Sequence, residues 1–506
     1  MDDKRPHDER NARAPSLARS LVTGSLWTIL IRWVSRLLGI ISLGICARVL
    51  TPADYGLVAM AMVVVGFSTI IVEFGLDASL IRAQSPNPDT YSTAWTLRIM
   101  QGAVVASLII VASPVAVHVY NDPRVMPIML AVAMSGLVGS FQNIYVVDFR
   151  KTLNFRLDFI FSLIPRLCSF VAAVTAVLWL ESYWGLVLGI CTNDVCRTIM
   201  SYLIIRRRAA WGLSEWRSLT SFSTWYFLRG LGEFLSFEFD RLIIGALGGA
   251  QRTGLYGAAR EMSALPATEI VLPIGRALLP TLSSLNQEPE RLRAAVEKAI
   301  GATLIISAPA ALGFAVIAEE AVRILFGEKW LDAVPLVTIF SVGTMLSGFR
   351  DTSASALVAV GAVRINAIFS WIQAICILGL FYPVYQMGGE KAIAWLYVSS
   401  GVLMMFLYAG YLQRSGLVGR RTLWQGMVRP VLSAIAMYHL VDLMSLYLDG
   451  GSTTLGLLAK IVLGICVYPL LLYTLWVVMG RPNSSEKTFI DLARAGLIQL
   501  HARVRR

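Results

Sequence analysis

Apolar stretches of about 20 residues or more recur roughly fourteen times along the chain. Their approximate edges are 24–47, 57–74, 95–118, 126–147, 158–180, 183–205, 222–247, 254–278, 294–318, 333–357, 365–386, 392–413, 427–448 and 454–479. A helix of that length crosses the ~30 Å hydrocarbon core of a bilayer. In hydrocarbon no water satisfies a backbone N–H or C=O, so each segment must close its own hydrogen bonds. The pattern therefore predicts an all-α polytopic membrane protein. Short connectors such as Thr51-Pro52-Ala53-Asp54 and Asp122-Pro123-Arg124 predict one compact bundle.

The chain is 56% hydrophobic and only 15% charged. A soluble surface needs about 25% charged residues, so most of these apolar side chains must face lipid or other helices. The first twenty residues are polar and mostly charged, without the apolar core or cleavage site of a secretory signal. The first apolar segment is thus expected to stay as a membrane helix. The six cysteines lie in or beside apolar runs, and the four histidines are scattered. Neither set has the spacing of a metal site or a disulfide framework, so no metal and no cofactor is expected.

A net charge of +12 fits nucleic acid or anionic lipid, and the pattern decides between them. Basic residues fall in the tails and in alternate loops, with roughly 27 on one side against roughly 6 on the other. That asymmetry is an orientation signal. It predicts an even helix count, both termini in the cytoplasm, and no nucleic-acid partner. The stretch 489–503 has helical apolar spacing with basic flanks, which fits an interfacial helix on the inner leaflet or a solvated tail.

Charges inside spanning segments cost about 3 kcal/mol each at mid-depth, so they are retained for a reason. By these edges the embedded basic residues are Arg32, Arg36, Arg98, Arg166, Arg197, Arg229, Arg241, Arg260, Arg276, Arg350 and Lys460. Nearly all are arginine, whose guanidinium stays charged and holds a phosphate bidentately. Arg32 and Arg36 lie one turn apart and share a helix face, with no carboxylate near them in sequence. Segments seven and eight also carry Glu233, Glu238, Asp240, Glu261 and Glu269. Arg229, Glu233, Ser236 and Asp240 form a polar stripe at helical spacing. The collective expectation is a wet, largely cationic lumen. Structural pairing is the competing reading for Arg229–Glu233, Glu238–Arg241, Asp194–Arg197 and Arg350–Asp351. Glu73, near the end of segment two, is either a coupling acid or a helix cap. Pro266, Pro273 and Pro280 recur every seven residues, and each removes a backbone donor. Pro266 and Pro273 are candidate hinges, with a static kink as the alternative.

An internal similarity joins Arg48-Val49-Leu50-Thr51-Pro52-Ala53-Asp54-Tyr55-Gly56-Leu57, between spans one and two, to Ala246-Leu247-Gly248-Gly249-Ala250-Gln251-Arg252-Thr253-Gly254-Leu255, between spans seven and eight. Each turn ends in Gly-Leu. Two repeats of six helices would put a substrate path between two halves. No phosphate-cradling loop, no His/Asp/Ser set and no large extramembrane loop with paired carboxylates is present, so a transporter rather than an enzyme is expected.

The segment Ala47–Ala59, the stretch Glu73-Phe74-Gly75-Leu76-Asp77-Ala78-Ser79-Leu80-Ile81-Arg82, and Phe239-Asp240-Arg241-Leu242-Ile243-Ile244-Gly245 with Gly254-Leu255-Tyr256-Gly257-Ala258-Ala259 resemble the polysaccharide transport family of oligosaccharide flippases. Leu272-Pro273-Ile274 and Leu279-Pro280-Thr281-Leu282-Ser283 are similar too. The resemblance implies the multidrug/oligosaccharidyl-lipid/polysaccharide exporter fold, with two six-helix lobes in a V and two further C-terminal helices. The lobes would be 21–208 and 209–415, followed by helices thirteen and fourteen at 416–480, with cytoplasmic tails at 1–20 and 481–506. The implied cargo is an undecaprenyl-pyrophosphate-linked oligosaccharide carried across a bacterial inner membrane, with a polysaccharide polymerase and membrane lipid as partners. The resemblance does not itself fix site residues; the charge pattern makes Arg32, Arg36, Arg229, Arg241 and Arg260 the candidate substrate site, with Glu73, Glu233, Asp240, Glu261 and Glu269 as candidate coupling or ion-pair acids. A multidrug exporter of the same fold would be expected to have an acid-dominated cavity. A lipid II flippase is the other alternative, and its signature resembles Leu50–Leu57 less.

Overall fold

The computed structural model describes residues 30–72, 76, 80, 87–152, 154–217, 231–232, 234–235, 238–266, 278, 282, 284–285, 287–448, 453–482 and 485–487. Every described element is helical, and among the described residues each of the fourteen apolar runs contains helix. These are α1 Leu30–Val49, α2 Pro52–Val72, α3 Pro88–Tyr120, α4 Val125–Ser140, α5 Phe155–Leu180 and α6 Trp184–Ile204. Helix Phe239–Pro266 breaks at Gly249, whose φ of 73° lies in the left-handed region, into α7 and α8. Then come α9 Pro289–Val316 and α10 Val334–Ala359. Val363–Arg414 breaks at Gly388 and Gly389 into α11 and α12. The last two are α13 Arg420–Leu448 and α14 Thr453–Val478.

Local chemistry explains the edges. Asp54 Oδ2 accepts from the Thr51 backbone N–H at 2.9 Å and from its hydroxyl at 2.6 Å, while Thr51 Oγ1 accepts from the Asp54 N–H at 3.3 Å. This reciprocal cap, with Pro52 in the first turn, starts α2 five residues before the expected edge. The supposed connector is the first turn of the helix. By contrast α4 stops at Ser140 rather than 147. Asn143 turns the chain there, donating from its backbone to Ser201 Oγ at 2.9 Å and from Nδ2 to the Arg207 carbonyl at 2.7 Å. At Gly389 a φ of 61° reverses the chain, and Gln373 of α11 meets Ser400 of α12 across the resulting hairpin at 3.4 Å.

The chain divides into two compact units, 1–254 and 255–506. The first packs Leu57 and Met60 of α2 against Ile109 of α3, Ile128 and Met129 of α4 and Val187 of α6. Within it α2 and the start of α8 touch through backbone. A Cβ at Gly56 would lie 1.7 Å from the Ala250 carbonyl oxygen, and one at Gly254 would lie 1.8 Å from the Pro52 carbonyl oxygen. The two Gly-Leu turns of the internal repeat therefore meet each other, and only glycine fits at the crossing.

The second unit has two apolar centres. One joins α9, α10 and α12 through Leu304, Phe349, Met404 and Leu412. The other ties α13 and α14 to α9 and α10 through Ala308, Met345, Met437, Val441 and Leu472. Tyr468 of α14 donates to the Ile305 carbonyl at 2.8 Å. Two ion pairs hold α13 and α14 in place. Lys460 pairs with Glu320 on the short helix Ala318–Leu325. Arg429 pairs with Glu486 at 3.0 Å, with side chains only 1% and 3% exposed. Arg429 is thus a buried residue of α13 that pairs with the C-terminal segment. The outward faces are apolar, as with Leu455, Leu458, Ile465 and Leu470 on α14. An apolar surface that extensive calls for lipid.

Candidate functional site

The charged residues collect in three places. The first is a face of α1. Arg32, Arg36 and Gly39 recur at helical spacing, and the Arg166 guanidinium of α5 lies against Gly39, 3.7 Å from where a Cβ would stand. Three guanidinium-bearing positions thus share one face of adjoining spanning helices, a concentration of charge that is costly in hydrocarbon. Arg166 reaches this face from far along the chain, which sequence spacing does not report.

The second is a cavity of about 660 Å³ inside the first unit, walled by α2, α3, α4 and α6. Its polar lining includes Arg98, Gln101, Gln142, Asp194 and Arg197. Asp194 accepts from Ser135 Oγ at 3.0 Å, and the Arg197 guanidinium sits 5.5 Å from the Phe161 ring centroid. A volume between ~300 and ~1,000 Å³ with a few convergent polar groups is the usual form of a small-ligand site. Amide side chains beside charges suit sugar hydroxyls, which need both donors and acceptors.

The third belongs to the second unit. Arg260 of α8 stacks over Tyr397 of α12, 5.1 Å from the ring centroid. Arg350 of α10 pairs with Asp351 at 3.0 Å and has Tyr397 and Tyr408 within electrostatic reach. Tyr408 donates to Asn366 Oδ1 of α11. An arginine over a tyrosine face with a second arginine nearby combines anion binding with a flat apolar surface.

Of the sequence-predicted site residues, Arg32 and Arg36 are joined by Arg166. Arg260 joins Arg350, and Glu261 beside it is exposed. Arg241 pairs with Glu238 at 3.1 Å, so one expected ion pair is formed. Asp240 is buried, and its Oδ1 accepts the Arg241 backbone N–H at 2.8 Å. Pro266 ends α8. Arg229, Glu73, Glu233, Glu269 and Pro273 lie outside the described residues.

A family model described as polysaccharide biosynthesis protein matches residues 45–335. The succinoglycan biosynthesis transport protein ExoT of Rhizobium meliloti (strain 1021) is 23% identical, the match covering 95% of this chain and 97% of ExoT. The lipopolysaccharide biosynthesis protein WzxC of Escherichia coli (strain K12) is also 23% identical, over 77% of this chain and 79% of WzxC. Among solved structures, the lipid II flippase MurJ in an inward closed conformation superposes with a TM-score of 0.73 at 11% identity, covering 90% of this chain and 99% of MurJ. An inward-facing multidrug resistance MATE transporter superposes with a TM-score of 0.58 at 13% identity, over 76% and 95% of the two chains. The fold is that of these polytopic transporters, and the chain belongs to the polysaccharide biosynthesis protein family as a multi-pass bacterial membrane transporter.

Proposed function

We propose that this transporter is a flippase. It carries an undecaprenyl-pyrophosphate-linked oligosaccharide from the cytoplasmic to the periplasmic face of the inner membrane, with both termini cytoplasmic. The observation that carries this reading is the set of arginines embedded in spanning helices, above all Arg32 and Arg36 with Arg166 against the same face. A pyrophosphate offers several anionic oxygens to forked guanidinium donors. The polyprenyl tail can stay in lipid while the sugars occupy polar surface such as that of Gln101, Gln142 and Asp194. Transport by alternating access needs elements that bend, and Pro266 with Pro273 is assigned that role. Glu73, Glu233, Asp240, Glu261 and Glu269 are assigned to coupling or to pairing with Arg229, Arg241 and Arg260. The names of the relatives, which include succinoglycan and lipopolysaccharide biosynthesis, favour a glycan cargo.

The test is a strain lacking the gene, scored for surface polysaccharide and for the sidedness of undecaprenyl-linked oligosaccharide. Loss of polymer with the lipid-linked unit trapped on the cytoplasmic face is expected. Trapping on the periplasmic face would instead identify a later step, polymerisation or ligation.

A further inference from the structure

A fourth cationic site stands apart from the arginines above. A cavity of about 600 Å³ opens at one end of the second unit, lined by Arg293, Gln413, Arg414 and Arg420 with the backbone of the turn at Gly416, Val418 and Gly419. The three arginines come from three elements. Arg293 is in the second turn of α9, Arg414 is the last residue of α12, and Arg420 is the first of α13. The turn between α12 and α13 is held in shape. Gly416 has a φ of 75°, and Glu297 Oε1 accepts the Gly419 N–H at 2.7 Å while Arg293 Nε donates to the same oxygen at 3.3 Å. Glu297 is the one carboxylate bonded into this turn among the described residues, so the pocket keeps an excess of positive charge. Its groups are forked donors at the rim of a concave surface, the arrangement that takes a phosphate.

What lies below the pocket says which phosphate. One turn into α13, Trp424 faces Phe406 of α12, with 6.2 Å between ring centroids. Farther along the same two helices Leu403, Val428 and Leu432 are exposed. Helix ends sit at headgroup depth, and the exposed apolar side chains run from there toward the hydrocarbon. A soluble anion would fill the pocket and leave this apolar track unused, whereas a phospholipid uses both. The basic asymmetry of the loops assigns this end to the cytoplasm, where anionic lipids gather against Lys and Arg.

We infer that the pocket between α9, α12 and α13 binds the phosphate of an anionic phospholipid headgroup, with the acyl chains laid along Phe406, Trp424 and Val428. It would serve as a fixed lipid contact that seats α13 on α9 and α12. The site is independent of the glycan cargo, so it stands or falls separately from the transport reading.

Native mass spectrometry of the purified full chain tests it, with phosphatidylglycerol, cardiolipin and phosphatidylethanolamine as probes. The wild-type chain should retain phosphatidylglycerol or cardiolipin in preference to phosphatidylethanolamine. The Arg414→Gln/Arg420→Gln chain should lose that preference by about tenfold or more, while Arg414→Lys/Arg420→Lys should keep some of it. These side chains are exposed, and unchanged thermal unfolding would show that the fold survives the substitutions. Equal retention of anionic lipid by wild type and the glutamine variant would overturn the assignment. So would occupancy by millimolar inorganic phosphate with no lipid preference, which would make the pocket a site for a soluble anion.

Discussion

Glu486 and Arg429 show what a single buried charge demands. Removing one partner of such a pair leaves an uncompensated ion in a low-dielectric interior, at a cost of about 3–5 kcal/mol. Glu486→Ala should therefore lower the unfolding temperature of the purified chain sharply, and Arg429→Leu/Glu486→Leu should recover most of the loss. An unaltered unfolding curve for Glu486→Ala would mean that the pair contributes nothing. The span 427–448 contains Arg429, but its acid partner was not legible because it lies 57 residues away. Lys460 was legible as an embedded cation needing an acid, while Glu320, 140 residues distant, was not legible as that acid. Arg32 and Arg36 were readable from spacing alone. Losing a charge-assisted hydrogen bond to phosphate costs about 1.5–3 kcal/mol, or ~10- to 100-fold in cargo affinity. Arg32→Ala and Arg36→Ala should each depress polysaccharide export at normal protein level. Arg36→Lys should do so less, since lysine keeps the charge and loses only the fork. Unchanged output in both alanine variants would remove these arginines from the site.

Helices were legible because hydrocarbon length and backbone self-satisfaction leave a long apolar run little choice, and the glycine break between α11 and α12 falls where the two runs were divided. Edges set by side-chain bonds were less legible. The α2 cap can be found in Thr51-Pro52-Ala53-Asp54, whereas the early end of α4 depends on Ser201 and Arg207, which only the folded chain brings to Asn143. The repeat was visible as two similar turns, and its physical meaning emerges only where Gly56 and Gly254 put α2 and α8 in backbone contact. Adding one methyl there must push the helices away from each other, since the atoms it meets are carbonyls with no rotamer to yield. Overpacking of this kind costs about 1–3 kcal/mol even in cores that can relax. Gly56→Ala or Gly254→Ala should reach that figure or exceed it, read as a lower unfolding temperature and reduced membrane yield. Gly136→Ala, at a helical position where a Cβ meets nothing within 4 Å, is the control and should be close to neutral. Equal behaviour of all three variants would mean that the crossing does not require glycine.

Direction of transport depends on which helix ends face the cytoplasm, and loop charge carries that information better than any contact inside the fold. The translocation machinery retains Lys and Arg on the cytoplasmic side, so roughly 27 basic residues against roughly 6 predict an orientation with both termini cytoplasmic. That prediction puts the turn between α3 and α4 on the periplasmic side. It is a compact feature, with Arg124 donating to Asp122 at 2.7 Å and drawing that carboxyl below its usual range. Such a local pair survives insertion on either side of the membrane and so does not itself determine topology. A cysteine introduced as Pro123→Cys should react with a membrane-impermeant maleimide in intact cells, above the background of the parent chain. Tags at the two chain ends should become accessible to protease only after the inner membrane is broken. The reverse pattern would invert every helix, place the headgroup pocket of α9, α12 and α13 on the periplasmic face, and require cargo loading from the opposite side. Labelling on both faces would mean two inserted orientations, in which case charge asymmetry does not control the topology of this chain.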